Sequence, residues 1–478
     1  MNNYSTYFLI ILNFYLIFFF TNMNVYSYYT FCNRCPYLEG SLARKAPAVI
    51  GDSHTRDSIG TGRNRCSSCG GHMRALQFSV NTPKFIAAKS LKPFLGNRVF
   101  FKGPVKTTKL VDIPEPQLPA QEWVKIQTIY CGFCGSDLNL MLLHDSPTAS
   151  PFTSFPCVTG HEIVGKIIGT GERVDGFKVG DIVAVNPGLG CETRNIAARC
   201  PSCRAGRPSN CENFARGNLQ PGMFTGINSS INGGFAPFMV AHQGQLFKIP
   251  DGLSLESAAM TEPLAVALQT VFDNFPTPGD KALVIGGGVI GNLVIQSLRA
   301  LSPECHTSVI EPSPYAADLA IKMGAGEIIA WKQVFKQSSD VTGATIYKPM
   351  LGSDILMGGY NRIYDTVGNS FTLNMSLRLL AAFGTLSVVG IGKEVKIDLT
   401  PLWLKLQTVK GVYGYGLVTY EGKERHVFDV ALEFMTSGRI DAEALVTHKF
   451  KLEDYLDMIE VNMNKGKHKA VKTLVSFV

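Results

Sequence analysis

The sequence predicts an α/β chain made of a β-rich, barrel-type domain and a doubly wound parallel sheet of the Rossmann kind. Three observations carry that expectation. Short strands broken by Gly and Pro run from Val99 to about Phe247. Near Leu253 the pattern changes to alternating helix and strand. A strand over Lys281–Ile285 then leads into the glycine turn Gly286-Gly287-Gly288-Val289-Ile290-Gly291. The length of 478 residues agrees, since roughly 150 residues per domain implies two or three domains.

Composition narrows the function. With 45% hydrophobic and 17% charged residues the chain is globular, neither disordered nor a coiled coil. Its net charge of +7 is not gathered into basic blocks, so no nucleic-acid partner is expected. Twelve cysteines are too few for a disulfide scaffold at this length. Their C-x-x-C spacings point to thiolate metal ligands in a reducing, cytoplasmic compartment.

Residues 1–72 do not resemble the rest. The run Phe8–Phe20 is apolar except for Asn13, and the first charge is Arg34. That is shorter than the ~20 residues of a membrane-spanning helix, so no membrane partner is expected unless residues 8–31 form a genuine anchor. Met1–Tyr7 lacks the basic residues of a secretion signal. Cys32/Cys35 and Cys66/Cys69 form two knuckle-like pairs, but their separation of 30 residues exceeds the roughly 15–20 of a zinc ribbon. Globular patterning begins at Met73, which is the expected translation start, and residues 1–72 are read as an atypical extension.

In the β-rich domain, strands are predicted over Glu122–Ile129, Ile163–Ile168 and Asp181–Val185. Two loops carry ligand-grade side chains: Cys131-Gly-Phe-Cys134-Gly-Ser136-Asp137 and Gly160-His161-Glu162. Thiolate and imidazole suit zinc, and an open site needs three protein ligands. Asp137 could orient a metal-bound imidazole from behind, and Ser136 could pass a proton from a bound alcohol. A second set, Cys191, Cys200, Cys203 and Cys211, places four thiolates in a stretch without apolar periodicity. A closed Cys₄ zinc site would order that loop and leave no position open for chemistry.

Beyond Leu253, Ser254 is a candidate N-cap for a helix through Met260, and Pro263 opens a second helix to Phe272. Glu262 falls at the junction, held out of the helix by the proline after it; its role stays open on the residues alone. In the glycine turn, Gly286 permits the tight bend, Gly288 lets backbone approach a pyrophosphate, and Gly291 lets helix and strand pack closely. Val289 and Ile290 open the helix that receives the pyrophosphate. Glu311, at the end of the next strand, Thr307–Ile310, stands where an acid binds the ribose hydroxyls of NAD, so NAD is expected over NADP. Strands over Arg362–Asp365 and Gly384–Val389 continue the parallel sheet.

With these motifs in hand, the chain from Met73 to Val478 resembles the zinc-dependent medium-chain dehydrogenase/reductase family, especially its sorbitol, threonine and alcohol dehydrogenases. The likeness rests on Gly132–Asp137, Gly160–Glu162, Gly171–Asp181, the cysteine lobe, Glu262-Pro263-Leu264 and Lys467–Lys472. It implies a GroES-like catalytic domain over 73–262 and 411–478 around a Rossmann domain over 263–410. It implies that Cys134, His161 and Glu262 bind a catalytic zinc, with Glu162 beside them as an outer or transient ligand. It further implies a homodimer or homotetramer, two zinc ions per chain, and hydride transfer between an alcohol or polyol and NAD. Two features depart from the pattern: eight residues separate Cys191 from Cys200, and Asn139 occupies the place of a frequent proton-relay His, for which His144 is a substitute candidate. Two other readings compete, a zinc-free NADPH quinone or enone reductase of the same fold and a membrane-tethered zinc-binding protein. N-terminal sequencing of the native protein is expected to begin at Met73; recovery of Asn2 or Asn3 rejects that start.

Overall fold

Val124, Ile126, Thr128 and Tyr130 alternate with other residues along Trp123–Phe133, the pattern of a strand with one face in a core. In the computed structural model, which describes residues 71–390 and 394–478, that strand is the hub of a seven-stranded sheet. It pairs antiparallel with Glu162–Thr170, Phe238–His242 and Lys472–Ser476. The sheet continues through Ile182–Val185 to Leu246–Lys248 on one side and ends at Val446–Lys451 on the other. Val124, Ile126, Phe133, Ile163, Ile167, Val183 and Met239 form its core. A smaller sheet sets His72–Phe78 between Thr108–Pro114 and Cys157–Val158. The apolar run Phe8–Phe20, the anchor candidate over residues 8–31 and the pairs Cys32/Cys35 and Cys66/Cys69 lie outside the described residues.

The second sheet has six strands in the spatial order Glu327–Ile328, His306–Ile310, Lys281–Ile285, Tyr360–Asp365, Leu380–Val388, Thr408–Gly411. Every pairing in it is parallel. Counted along the chain this is the 3-2-1-4-5-6 order of a Rossmann sheet, whose ligand crevice opens where the order reverses, above Lys281–Ile285 and Tyr360–Asp365. After the last strand the chain packs helix Val427–Thr436 into one core with Leu264, Leu268, Leu293 and Leu298. It then rejoins the seven-stranded sheet at Val446–Lys451.

Two details differ from the sequence reading. Residues 79–98, for which the sequence predicts no element, contain a helix over Thr82–Leu95, capped by Asn81, whose side chain accepts from the Lys84 amide at 3.0 Å. Its apolar residues Ile86, Leu91, Phe94 and Leu95 are exposed, so it lacks the buried stripe that makes a helix legible. Second, Ser254 does cap a short helix, Leu255–Ala258, but Glu262 is not outside the next one. That helix spans Thr261–Asp273 with Glu262 in its first turn. Pro263 is only its third residue, where no intrahelical hydrogen bond is lost, so the helix begins ahead of the proline. Among the described residues, no helix is long and apolar enough to cross a membrane.

Candidate functional site

Cys134 ends the hub strand region and stands as N-cap of helix Gly135–Met141. Asp137, buried in the first turn of that helix, divides its carboxylate between two tasks. Oδ2 accepts from the Cys134 amide at 3.0 Å, and Oδ1 faces His161 Nδ1 at 3.5 Å. That contact leaves Nε2 as the ring nitrogen available to a metal. His161 comes from the turn before strand Glu162–Thr170, so adjacent antiparallel strands bring the two loops together. The ligand atoms of Cys134, His161 and Glu162 all lie within 4.8 Å of one another. Burial would lower the His161 pKa, but the Asp137 charge and hydrogen bond, with Cys134, raise it well above the ordinary value. Ser136 is exposed on the same helical turn.

Glu262 is buried nearby but lies outside that 4.8 Å set. Its Oε1 accepts from the Tyr415 hydroxyl at 3.0 Å. Burial pushes its carboxyl up to about 7; the His161 charge opposes this and Glu162 adds to it. Glu162 itself forms a buried ion pair with Lys472. Burial alone would lower the Lys472 pKa, yet the Glu162 charge carries it above its ordinary value. Three acids, two bases and a thiol are therefore packed close together in a largely buried site. A pocket wall continues from His161 to Phe224, stacked at 6.4 Å between ring centroids, and on to Tyr413 at 5.1 Å. His144 is turned elsewhere, with Nε2 2.9 Å from Lys92 Nζ.

The four cysteines form the second centre. Cys191, Cys200, Cys203 and Cys211 are all unbridged, and their sulfurs gather within 4.8 Å. Cys191 and Cys211 lie 3.7 Å apart, and Cys200 and Cys211 3.9 Å. A tetrahedral zinc with Zn–S bonds of about 2.3 Å separates its sulfurs by about 3.8 Å, so the donor set fits that ion. Amides point inward as they do toward thiolates: Cys191 N to Cys203 Sγ and Cys200 N to Cys191 Sγ, each 3.3 Å. The eight-residue spacer is ordered by Arg194, fully buried, whose guanidinium donates to the carbonyls of Leu189, Arg216, Leu219, Gln220 and Gly222.

At the crevice of the parallel sheet, Gly286 turns with φ +98° and Gly288 caps helix Val289–Leu301. Gly288 has open space where a Cβ would stand, whereas a Cβ on Gly291 would strike the Gly286 carbonyl. Glu311 is tied back to the turn: Oε2 accepts from Gly287 N and Oε1 from Ser313 N, both at 2.7 Å.

Comparison with known proteins gives this arrangement its context. The alcohol dehydrogenase GroES-like domain matches residues 120–251, and the zinc-binding dehydrogenase domain matches residues 289–437. Sorbitol dehydrogenase from Arabidopsis thaliana is 31% identical over 68% of this chain and 81% of its own length. Sorbitol dehydrogenase from Bacillus subtilis is 28% identical over 77% and 93%. The crystal structure of 2R,3R-butanediol dehydrogenase from Bacillus subtilis superposes with a TM-score of 0.62 at 26% identity, covering 84% of this chain and 99% of that one. The chain belongs to the zinc-dependent medium-chain dehydrogenase/reductase family.

In this dehydrogenase, three buried residues escape sequence reasoning: Lys472, Tyr415 and Arg194. Each is a polar residue in an ordinary context, and only burial against a specific partner sets it apart. Lys472 closes the run Lys467–Lys472 that carries the family likeness, which is the one available signal. Substituting Cys203→Ser should lower the zinc count by one per chain and make the lobe protease-sensitive while secondary structure elsewhere persists; metal analysis with limited proteolysis checks this. Gly291→Ala should abolish binding of the dinucleotide, read by loss of NADH fluorescence enhancement, because helix and turn can no longer close.

Proposed function

We propose that this dehydrogenase transfers hydride between the CH–OH group of an alcohol or polyol and NAD, using one catalytic and one structural zinc per chain. The observation that carries the reading is the convergence of Cys134, His161 and Glu162 within 4.8 Å, in a chain that also carries a glycine turn at the crevice of a parallel sheet. Bound zinc supplies Lewis acidity and NAD supplies the hydride acceptor. Cys134 and His161 hold the metal, and Asp137 orients the imidazole from Nδ1. Glu262 supplies the third ligand: its partner is a neutral hydroxyl, whereas the Glu162 carboxylate is already neutralised by Lys472. Glu162 stays beside the metal as an outer or transient ligand. Ser136 carries the substrate proton outward, since the amide side chain of Asn139 cannot titrate. Glu311 binds the adenosine ribose and disfavours a 2′-phosphate, which makes NAD the partner of choice. Cys191, Cys200, Cys203 and Cys211 hold the structural zinc. The relatives named for sorbitol and butanediol support a substrate with more than one hydroxyl group.

The assembly expected is a homodimer or homotetramer. Strand Thr408–Gly411 is a free sheet edge, exposed along its length. Phe383 and Leu406, both large and exposed, adopt left-handed backbone angles beside it, joined by the Phe383 N to Lys405 O hydrogen bond of 2.9 Å. Apolar side chains held outward at a conformational cost are explained by a second copy covering them. The domain limits are proposed as catalytic over 73–262 and 411–478 and nucleotide-binding over 263–410; the packing of helix Val427–Thr436 favours a second crossing closer to Val446. Unbridged cysteines at both centres fit a reducing, cytoplasmic setting.

The decisive experiment is a screen of secondary alcohols, diols, polyols and threonine for NAD reduction, with zinc counted on the same sample. Two zinc ions per chain are expected, and a count of one rejects either the lobe or the open site. Cys134→Ser and His161→Ala should each lower kcat by at least about 10³-fold with unchanged circular dichroism. Glu262→Gln should release the catalytic zinc at lower chelator concentration than Glu162→Gln; the reverse order would assign the third ligand to Glu162.

A further inference from the structure

The four-cysteine lobe does not stand apart from the catalytic site. Residues 206–209 lie between Cys203 and Cys211, and they press on the segment 414–417 that follows the last Rossmann strand. Leu417 N donates to Gly206 O at 3.1 Å, and the Ser209 hydroxyl, fully buried, donates to Tyr415 O at 3.3 Å. Packing there leaves no room for a side chain. A Cβ on Gly414, where φ is +73°, would meet the Ser209 side chain, with Oγ 2.7 Å away, and would come within 3.8 Å of Phe224. A Cβ on Gly416 would run into the Gly206 carbonyl and stand 2.7 Å from Arg207 Cδ.

The same short stretch of lobe also reaches the helix that carries Glu262. Arg207 clasps Asp273, the last residue of that helix, with two hydrogen bonds of 2.9 and 3.2 Å. Between these two anchors the gripped segment delivers its own contacts to the helix. Gly416 N donates to Gln269 Oε1 at 3.0 Å, and Tyr415, between the two glycines, donates its hydroxyl to Glu262. Tyr415 has no freedom of its own, being 0% exposed and packed edge-on against Phe428 at 5.0 Å. A displacement of the lobe is therefore transmitted to the Glu262 carboxylate, because close-packed interiors pass strain on instead of absorbing it.

We propose that the four-cysteine lobe positions Glu262, with Ser209, Gly414 and Gly416 as the positioning residues that transmit its hold through Tyr415. The inference rests on the reading that Glu262 serves the open metal site. The lobe then has two duties, closing its own loop and setting the geometry of a carboxylate that it does not touch.

The test uses full-length chain with Co²⁺ at the open site and zinc kept in the lobe, and it reads the ligand-field spectrum beside kcat and KM. Gly414→Ala should shift the spectrum and lower kcat by about 10- to 100-fold with the KM for NAD unchanged. Because an alanine at φ +73° is strained whatever faces it, Gly416→Ala, whose backbone is not left-handed and whose Cβ would meet the Gly206 carbonyl and Arg207 of the lobe, is the second variant and should move both readouts in the same direction. Ser209→Ala, which keeps the packing and removes one hydrogen bond, should give a smaller shift of the same kind, and it decides the question alone if Gly414→Ala does not fold. A wild-type spectrum in Gly416→Ala and Ser209→Ala overturns the proposal. Failure of wild-type enzyme to reduce NAD with any alcohol would instead reject the functional reading, leaving the spectral comparison intact.

Discussion

The constraint on which the rest of the structure depends is the burial of a charged cluster where the catalytic strands meet the nucleotide side. Cys134, His161, Glu162, Glu262, Asp137 and Lys472 share a space from which water is largely excluded. Charges in such a place must be matched almost one for one or they neutralise. The matching is visible in the pairs Asp137 with His161 and Glu162 with Lys472. Glu262 has the neutral Tyr415 hydroxyl as its hydrogen-bond partner, with the charges of His161 and Lys472 acting on it from nearby. Burial is the main reason its carboxyl is held above the ordinary range, and no cation pairs with it directly as Lys472 does with Glu162.

Satisfying this cluster explains features that would otherwise look unrelated. The chain must leave the first sheet, build the second, and come back, because Lys472 belongs to a strand paired with Phe133 while Tyr415 arrives from the end of the nucleotide sheet. The three regions that supply Cys134, Glu262 and Lys472 are separated by more than a hundred residues of chain. Loop closure over such lengths is tolerable because its entropic cost grows only slowly with length, and rigid sheets bear the ends. The four-cysteine lobe adds a brace at the outer side of this junction. Its contacts with Gly414–Leu417 are made by backbone and the short Ser209 side chain, and its contact with Asp273 by the two-pronged Arg207 guanidinium.

Much of the architecture was legible because it is local. Alternation marked the hub strand and its neighbours, and the glycine turn with Glu311 marked the start of the Rossmann unit to within a residue or two. Four cysteines within a short stretch announced a shared centre, because no core was available to take them. The helix Thr82–Leu95 is not legible, since only Ala88 is fully buried and Ile86, Leu91, Phe94 and Leu95 face outward. Glu262 is not legible from the residues alone, where the following proline leaves its role open; the family likeness singles it out, and the structure shows it helical and buried. Arg194 gives no local sign, and Lys472 none beyond its place in the run Lys467–Lys472, because a buried cation looks like a surface one until its partners are known.

What the sequence determined by itself was the inventory: two kinds of sheet, a dinucleotide turn, and two sets of metal-grade donors, each set by spacing along a few tens of residues. What only the tertiary structure decided was which acid meets which base. Periodicity and spacing report contacts within a strand, a turn or a loop. The ion pair of Glu162 with Lys472 and the hydrogen bond of Tyr415 to Glu262 each join residues far apart in the chain, and such pairings exist only after sheets have fixed both ends in space.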